Sequence, residues 1–506
     1  MSLFLGLDVG TTGTKALLLD ERGVTLAGAT AEYPLSTPHP LWAEQDPNDW
    51  WQGAIEAIRR VCAAAGVRGD AIAAVGLSGQ MHGLTLLDEA DRVLRPAILW
   101  NDQRTAAQCA HITEVLGLAR LLELTGNPVL PGFTAPKIVW VRENEPDVYR
   151  RARRFLLPKD FVRFCLTGEF ATDVSDASGT SLFDVKNRRW SLAMFAALDI
   201  PEAWAPRCAE SPEIAGRVTA AAAALTGLAP GAPVVAGGGD QAAQALGAGL
   251  AHEGSASSTL GTSGVVFAPV AQPAIDPRGR LHSFCHAVPG MWHVMGVMLA
   301  AGGSLRWLRD NLADAERAEA ARRGVDPYEV LTEQAALAPP GCEGLLFLPY
   351  LCGERTPHAD PHARGAFVGL TLRHGKPHLV RAVLEGVAFG LRDSLELMRA
   401  QGLAPAEMRI SGGGARSPLW RAILADVFNL PLVAPDVAEG AAYGAALLAG
   451  VGAGAFPSVA EACEQTIRAT VVAGPDPARA ALYDGAWRRY RDLYPALKPA
   501  FDALAG

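Results

Sequence analysis

Two acidic residues and three glycine-rich turns carry the chemistry of this chain. Asp8 lies in Leu5-Gly6-Leu7-Asp8-Val9-Gly10-Thr11-Thr12-Gly13-Thr14-Lys15, and Asp240 closes Ala236-Gly237-Gly238-Gly239-Asp240. Ser257-Ser258-Thr259-Leu260-Gly261-Thr262-Ser263-Gly264 repeats the plan of the first segment in the second half of the chain. Each turn joins one extended apolar run to another, so both read as hairpins. A tip that exposes amides and Thr hydroxyls suits phosphate oxygens. Gly412-Gly413-Gly414, followed by Ser417-Pro418 as N-cap and first residue of a helix, adds a further anion-binding turn. A duplicated phosphate grip with two acids facing it is the outline of a phosphotransferase.

Local sequence leaves a bland reading beside each of these. Gly10 to Gly13 has neither the Gly-x-x-x-x-Gly-Lys-Ser/Thr spacing of a P-loop nor a Gly-x-Gly-x-x-Gly that opens a helix. It is either a plain hairpin turn or a phosphate tip. Asp8 is either a residue that bonds its own turn or a ligand for nucleotide-bound Mg²⁺. Asp240 is the N-cap of the helix that follows it, a catalytic group, or both. Met81-His82 follows a strand-like run, where such a pair is packing or pocket. Trp100-Asn101-Asp102-Gln103-Arg104 is too rich in polar groups for a core without partners, and suits a sugar pocket. His282, Cys285, His286 and His293 alternate along a strand without regular ligand spacing, which disfavours a metal site.

The totals narrow the class. The 506 residues exceed one core and call for at least two domains. A net charge of -8 without a Lys/Arg block argues against nucleic acid as the partner. No apolar run of about 18 residues predicts a membrane span, and the first residues lack a basic, cleavable leader. The 8 scattered cysteines form no Cys-x-x-Cys pair, so a reducing, cytoplasmic setting is expected.

The elements that position these groups follow from periodicity. The first 30 residues form a meander of strands. Trp50 to Ala65 has helical spacing, with Trp51, Ile55, Ile58 and Cys62 on one face. Ala71 to Leu77 is a strand, and Gln241 to Gly249 is a helix of small residues. The second half repeats the pattern: the Gly261 hairpin, a strand over Trp292 to Met298, a helix over Gly303 to Asn311, and an exposed helix over Ala313 to Arg323. A long amphipathic helix over Leu379 to Ala400 follows, with Val383, Leu384, Val387, Leu391 and Leu395 on one side. Met408 to Ser411 is a strand, and Tyr483, Trp487, Tyr490 and Tyr494 mark a C-terminal packing helix. Strands alternating with helices imply an α/β class.

Longer segments carry a resemblance. Pro38-His39-Pro40-Leu41-Trp42-Ala43-Glu44-Gln45-Asp46-Pro47, Ser78-Gly79-Gln80-Met81-His82-Gly83, Ile98-Leu99-Trp100-Asn101-Asp102 and Pro131-Gly132-Phe133-Thr134-Ala135-Pro136-Lys137 resemble the FGGY sugar (carbohydrate) kinase family. So do Leu157-Pro158-Lys159-Asp160, His282-Ser283-Phe284-Cys285-His286 and Gly353-Glu354-Arg355-Thr356-Pro357-His358. The resemblance spans nearly the whole chain and is strongest to members that phosphorylate D-xylulose. It implies an α/β, two-domain, actin-like ATPase (ribonuclease H-like) fold with the active site in the interdomain cleft. Residues 1–250 would form the sugar-binding domain, 251–450 the ATP-binding domain, and 451–506 the packing helices. It further implies ATP with Mg²⁺, Asp240 as catalytic base and Asp8 near the metal; with a loose transition state an Asp of ordinary pKa suffices as that base. Met81, His82, Trp100 and Asp102 would contact the sugar. Thr12, Lys15, Gly261 and Thr262 would grip phosphates, and Gly302, Gly413, Gly414 and Ser417 would line the adenosine side. Gln241 stands where such members favour Asn, and Arg306 where some relatives have Gln. Small-molecule sugar and ATP are the expected partners, with a homodimer left open. Two alternatives stay open as well: a kinase for ribulose, gluconate or glycerol, and a non-catalytic ATP-gated binding module.

Overall fold

The computed structural model describes residues 2–437 and 439–505. Its two central sheets share one plan. In the first, neighbouring strands run Ile214–Arg217, Pro233–Val235, Ile72–Gly79, Leu3–Val9, Gly13–Asp20, Thr25–Glu32, with Gly238–Gly239 also pairing onto Ile72–Gly79. In the second the order is His282–Cys285, Trp292–Met298, Gly264–Val270, Ser255–Leu260, Glu407–Ser411, Leu432–Pro435, Ala469–Ala473. Each has an antiparallel three-strand meander, whose first strand runs parallel to the next two strands of the sheet. The duplication read from two turns is thus a duplication of whole sheets.

Parallel strands buried on both faces need cover on both sides. In the first sheet one cover is helix Pro47–Ala65, which starts earlier than periodicity predicts because Asp46 caps it, accepting the Asn48 N–H at 2.9 Å, with Pro47 next. Trp50, not Trp51, enters the core, and Ile55, Ile58 and Cys62 join it as expected. The other cover is helix Gly440–Gly452, from the second half of the chain. It lies directly on the sheet at Gly6 and Gly76, where an added Cβ would fall 1.9 Å from the carbonyls of Ala442 and Ala445. The same helix crosses Asp240–Gly247 at Gly444, where a Cβ would fall 2.0 Å from the Ala243 carbonyl. Backbones this close make the joint between the halves a tight one.

The second sheet packs on helix Lys376–Arg399, whose Val383, Leu384, Val387, Leu391 and Leu395 are fully buried. The C-terminal helix Pro477–Ala505 sends Tyr483, Trp487 and Tyr490 into that same core. A separate cluster built from Leu84 through Trp204, including Ile98, Ile138, Trp140 and Phe155, forms the outer part of the first half. No helix of the described residues is long and apolar enough to cross a membrane.

Candidate active site

Register brings the acids together. Val9, Gly79 and Gly239 sit level on three neighbouring parallel strands, as do Asp8, Ser78 and Gly238. Asp8 therefore stands at the carboxyl end of its strand, and Asp240 follows one residue past Gly239 at the end of another. Carboxyl ends of parallel strands are where α/β sheets bind ligands. Asp240 is the first residue of helix Asp240–Gly247, and Gly239 is the N-cap. The capping alternative for Asp240 is thereby corrected: its carboxylate is not the cap. Burial, and then the charge of Asp8, push Asp240 up to about 7, while bonds from Gln241 pull the other way. Gln241, the next residue, keeps its amides near the carboxylate.

Asp8 is likewise raised to about 6, first by burial, with Lys15 opposing and Glu439 adding. Its Oδ1 has no hydrogen-bond partner among the described residues. A buried carboxylate oxygen left unpaired is a donor suited to a hard divalent cation. Lys15, opposite Asp8 across the hairpin, reaches Glu439 at 2.5 Å. Glu439 directly precedes helix Gly440–Gly452, so this pair ties the first hairpin to the joint helix. Thr12 is exposed at the hairpin tip.

The tip is also wired to the loops that carry Trp100 and Gln80. Trp100 Nε1 donates to Thr11 Oγ1 at 3.0 Å, and Thr11 Oγ1 donates to Gln80 Oε1 at 3.1 Å. Gln80 Nε2 in turn donates to the Gly10 carbonyl at 3.2 Å and to Gln45 Oε1 at 2.9 Å. Gln80 immediately precedes Met81-His82, and its place in this chain was not legible from local sequence. Trp100 keeps 43% of its surface exposed. Asp102 departs from the expected sugar contact. It is fully buried, accepts the Ala43 N–H at 2.7 Å and binds Arg104 through both oxygens. Its carboxylate is spent on bracing the loop that carries Trp100.

His82 is held at φ +70°, and its ring stacks on Phe133 at 4.7 Å. Burial and Lys137 keep its pKa well below the usual range, so the ring is neutral. Nδ1 lies 2.7 Å from the Gly179 carbonyl and must carry the proton there. Nε2 is then an acceptor, the right polarity for a sugar hydroxyl. Met81 packs beside it in a cluster with Phe133, Phe284 and Met295. His282, His286 and His293 belong to the same aromatic region, with His293 stacked on Phe267 at 4.3 Å. Burial drives His282 and His286 down to about 3.

The second half holds a cavity of about 910 Å³. Gly261, Thr262, Gly302, Gly413, Gly414 and Ser417 all line it. The Gly261 carbonyl accepts the Gly302 N–H at 2.8 Å, and the Thr262 carbonyl accepts the N–H of Ala301 and Gly303 at 3.0 Å. The second hairpin tip is thus seated on the start of helix Gly302–Leu312. Ser417 Oγ caps helix Pro418–Phe428, accepting the Trp420 N–H at 3.2 Å. Arg306 also lines the cavity, with Arg309, Tyr328 and Arg416, three residues that carried no sequence signal. Gln244 Nε2 donates to Thr259 Oγ1 at 3.1 Å, linking the Asp240 helix to the strand that feeds the second tip.

Two sheets of one plan, each presenting a hairpin tip at its strand ends, with a carboxylate on one side and a large cavity on the other, define a two-domain phosphotransferase with an actin-like ATPase fold. The chain belongs to the FGGY family of carbohydrate kinases: the model of the family's N-terminal domain matches residues 3–247, and that of its C-terminal domain matches 256–453. It is 43% identical over 500 residues to the xylulose kinase of Escherichia coli (strain K12), covering 98% of this chain and 99% of that one. It is 39% identical over 504 residues to the xylulose kinase of Bacillus subtilis (strain 168), covering 100% and 99%. The crystal structure of xylulose kinase from Rhodospirillum rubrum superposes with a TM-score of 0.91 at 34% identity, covering 99% and 100%.

Proposed function

We propose that this kinase transfers the γ-phosphoryl group of ATP to O5 of D-xylulose, giving D-xylulose 5-phosphate and ADP. The observation that carries the chemistry is Asp240, a carboxylate of raised pKa at the strand ends beside Asp8. The full-length similarity to xylulose kinases of two bacteria supports the choice of sugar. Residues 1–250 hold the sugar, 251–450 the nucleotide, and the packing helices of 451–506 include Pro477–Ala505 on the second core.

In this reading Asp240 accepts the O5 proton as the bond to phosphorus forms. A base near pKa 7 suits that role at neutral pH. Phosphoryl transfer passes through a loose transition state, so alignment and charge neutralisation outweigh proton removal. Met81 and Trp100 shape the pocket, and His82 Nε2 accepts a hydroxyl hydrogen bond that orients the sugar. The tips at Thr12 and at Gly261-Thr262 offer amides and hydroxyls to phosphate oxygens, and Lys15 adds a cation. Gly302, Gly413, Gly414 and Ser417 line the adenosine side. Asp8, with its unpaired oxygen, would hold Mg²⁺, which neutralises phosphate charge when bound. Closure of the two domains excludes water and limits idle ATP hydrolysis.

The test is ADP release with D-xylulose, D-ribulose, D-gluconate, glycerol or no sugar. D-Xylulose should give the highest kcat/KM, well above the rate without sugar. A rate independent of any sugar would instead support an ATP-gated binding module, and a preference for another acceptor would move the specificity.

A further inference from the structure

The three glycines before Asp240 have no side chains to hold their own conformation. Gly237 adopts φ +83°, and a Cβ there would fall 2.1 Å from the Leu77 carbonyl, so the glycine is required. Such a turn is intrinsically loose, yet it must deliver a catalytic group within about half an ångström of its place. The stiffness comes from a fully buried ionic knot on helix Pro158–Thr167, on helix Val174–Ala177 and on its N-cap Asp173. Lys159 Nζ lies 2.6 Å from Asp160, 2.7 Å from Asp173 and 3.2 Å from Asp176. Arg163 lies 2.9 Å from Asp160. All five side chains have no solvent exposure.

The knot grips the glycine turn at both ends. Arg163 donates to the Ala236 carbonyl at 2.7 Å, just before the turn. The Gly239 N–H, just after it, donates to Ser175 Oγ at 3.0 Å. Ser175 Oγ donates onward to Asp173 Oδ2, which also accepts the Ser175 N–H at 2.8 Å and the Ser211 hydroxyl at 3.3 Å. The same segment continues to Gly179, whose carbonyl fixes the His82 ring at 2.7 Å.

We infer that Ser175 is a positioning residue for phosphoryl transfer: its hydroxyl couples the Lys159–Asp173 knot to the Gly239 peptide and so sets the place of Asp240. The inference rests on Asp240 being the base. Ser175 touches no reactant, so its loss should act on turnover through geometry. A small displacement of a reacting group costs on the order of tenfold to a hundredfold in rate.

The experiment compares Ser175→Ala, Ser175→Thr and Asp240→Asn, measuring kcat, KM for each substrate and thermal midpoint. Ser175→Ala should lower kcat by about tenfold to a hundredfold, leave KM for ATP within about twofold, and shift the midpoint little. Ser175→Thr, which restores the acceptor oxygen, should recover most of kcat. Should Ser175→Ala not fold, Ser175→Cys keeps the volume with a weak acceptor and gives the same comparison. A kcat within twofold of the native enzyme refutes the inference. So does a loss shared equally by kcat, both KM values and the midpoint, since that marks a purely structural residue. Asp240→Asn separates the two claims. If it is slowed a hundredfold or more while Ser175→Ala stays within twofold of the native kcat, the base stands and the clamp fails. If it is active, the base reading itself fails.

Discussion

Asp240→Asn changes no shape and removes one ionisation, so its effects can be worked from the site. Burial, with the charge of Asp8, raises this carboxyl from 3.8 to about 7 in the folded protein. At about 1.4 kcal/mol for each pH unit, the rise sets an upper bound of about 4 kcal/mol on the cost of ionising it in place. Relaxation of the site and entry of water lower the actual cost below that bound. The sign follows from linkage. A carboxyl whose folded pKa is raised contributes stability that is complete below its unfolded value near 3.8 and is lost as pH rises through about 7. The Asn variant, which never ionises, should match the native protein near pH 4 and exceed it at pH 8. Calorimetric midpoints across that range give the difference directly. In the same variant kcat should fall by roughly 10²–10⁴, the size of a general-base contribution. The native kcat/KM should decline as pH falls through about 7, because protonation removes the base. A midpoint difference that is flat from pH 4 to 8 refutes the electrostatic argument.

Three further outcomes follow from the same geometry. Asp8→Ala should raise the Mg²⁺ concentration needed for half-maximal rate at least tenfold while leaving the sugar KM nearly unchanged; an unaltered Mg²⁺ titration would make Asp8 structural. Gly261→Val should raise the ATP KM about tenfold or more without unfolding the chain, because a Cβ there meets nothing nearer than the Ser263 carbonyl at 3.5 Å; unchanged nucleotide affinity in the folded variant removes the second tip from the site. His82→Ala should raise the D-xylulose KM about tenfold and narrow the preference over D-ribulose, with sugar-free ATP hydrolysis unchanged; if hydrolysis and thermal midpoint collapse together, His82 is a core residue.

What was legible in the sequence was local. Both hairpins are encoded by Gly-Thr turns between apolar runs, the Ser417-Pro418 helix start by its cap, and the long helix by its 3.6-residue stripe. Register then placed Asp8 beside the strand that leads to Asp240, as the paired motifs had implied. The parts missed depend on distant partners. Lys15 meets Glu439 across 424 residues, Ser175 meets Gly239 across 64, and Gln80 meets Thr11 across 69. No periodicity announces such pairs. Asp102 illustrates the opposite error. The polar cluster reads as a pocket, yet Asp102 and Arg104, two residues apart, satisfy each other with the Ala43 amide. The raised pKa of Asp240 was also beyond reach, since it arises from burial and from an acid on a neighbouring strand.

The most direct measurement is transfer of label from γ-³²P ATP to D-xylulose by the native enzyme and by Asp240→Asn, with binding of both substrates checked in each. The native enzyme should yield D-xylulose 5-phosphate, and the variant should bind sugar and nucleotide with similar affinity while transferring label at least about a hundredfold more slowly. Transfer by the variant within a few-fold of native, or no labelled sugar from the native enzyme, would contradict the account.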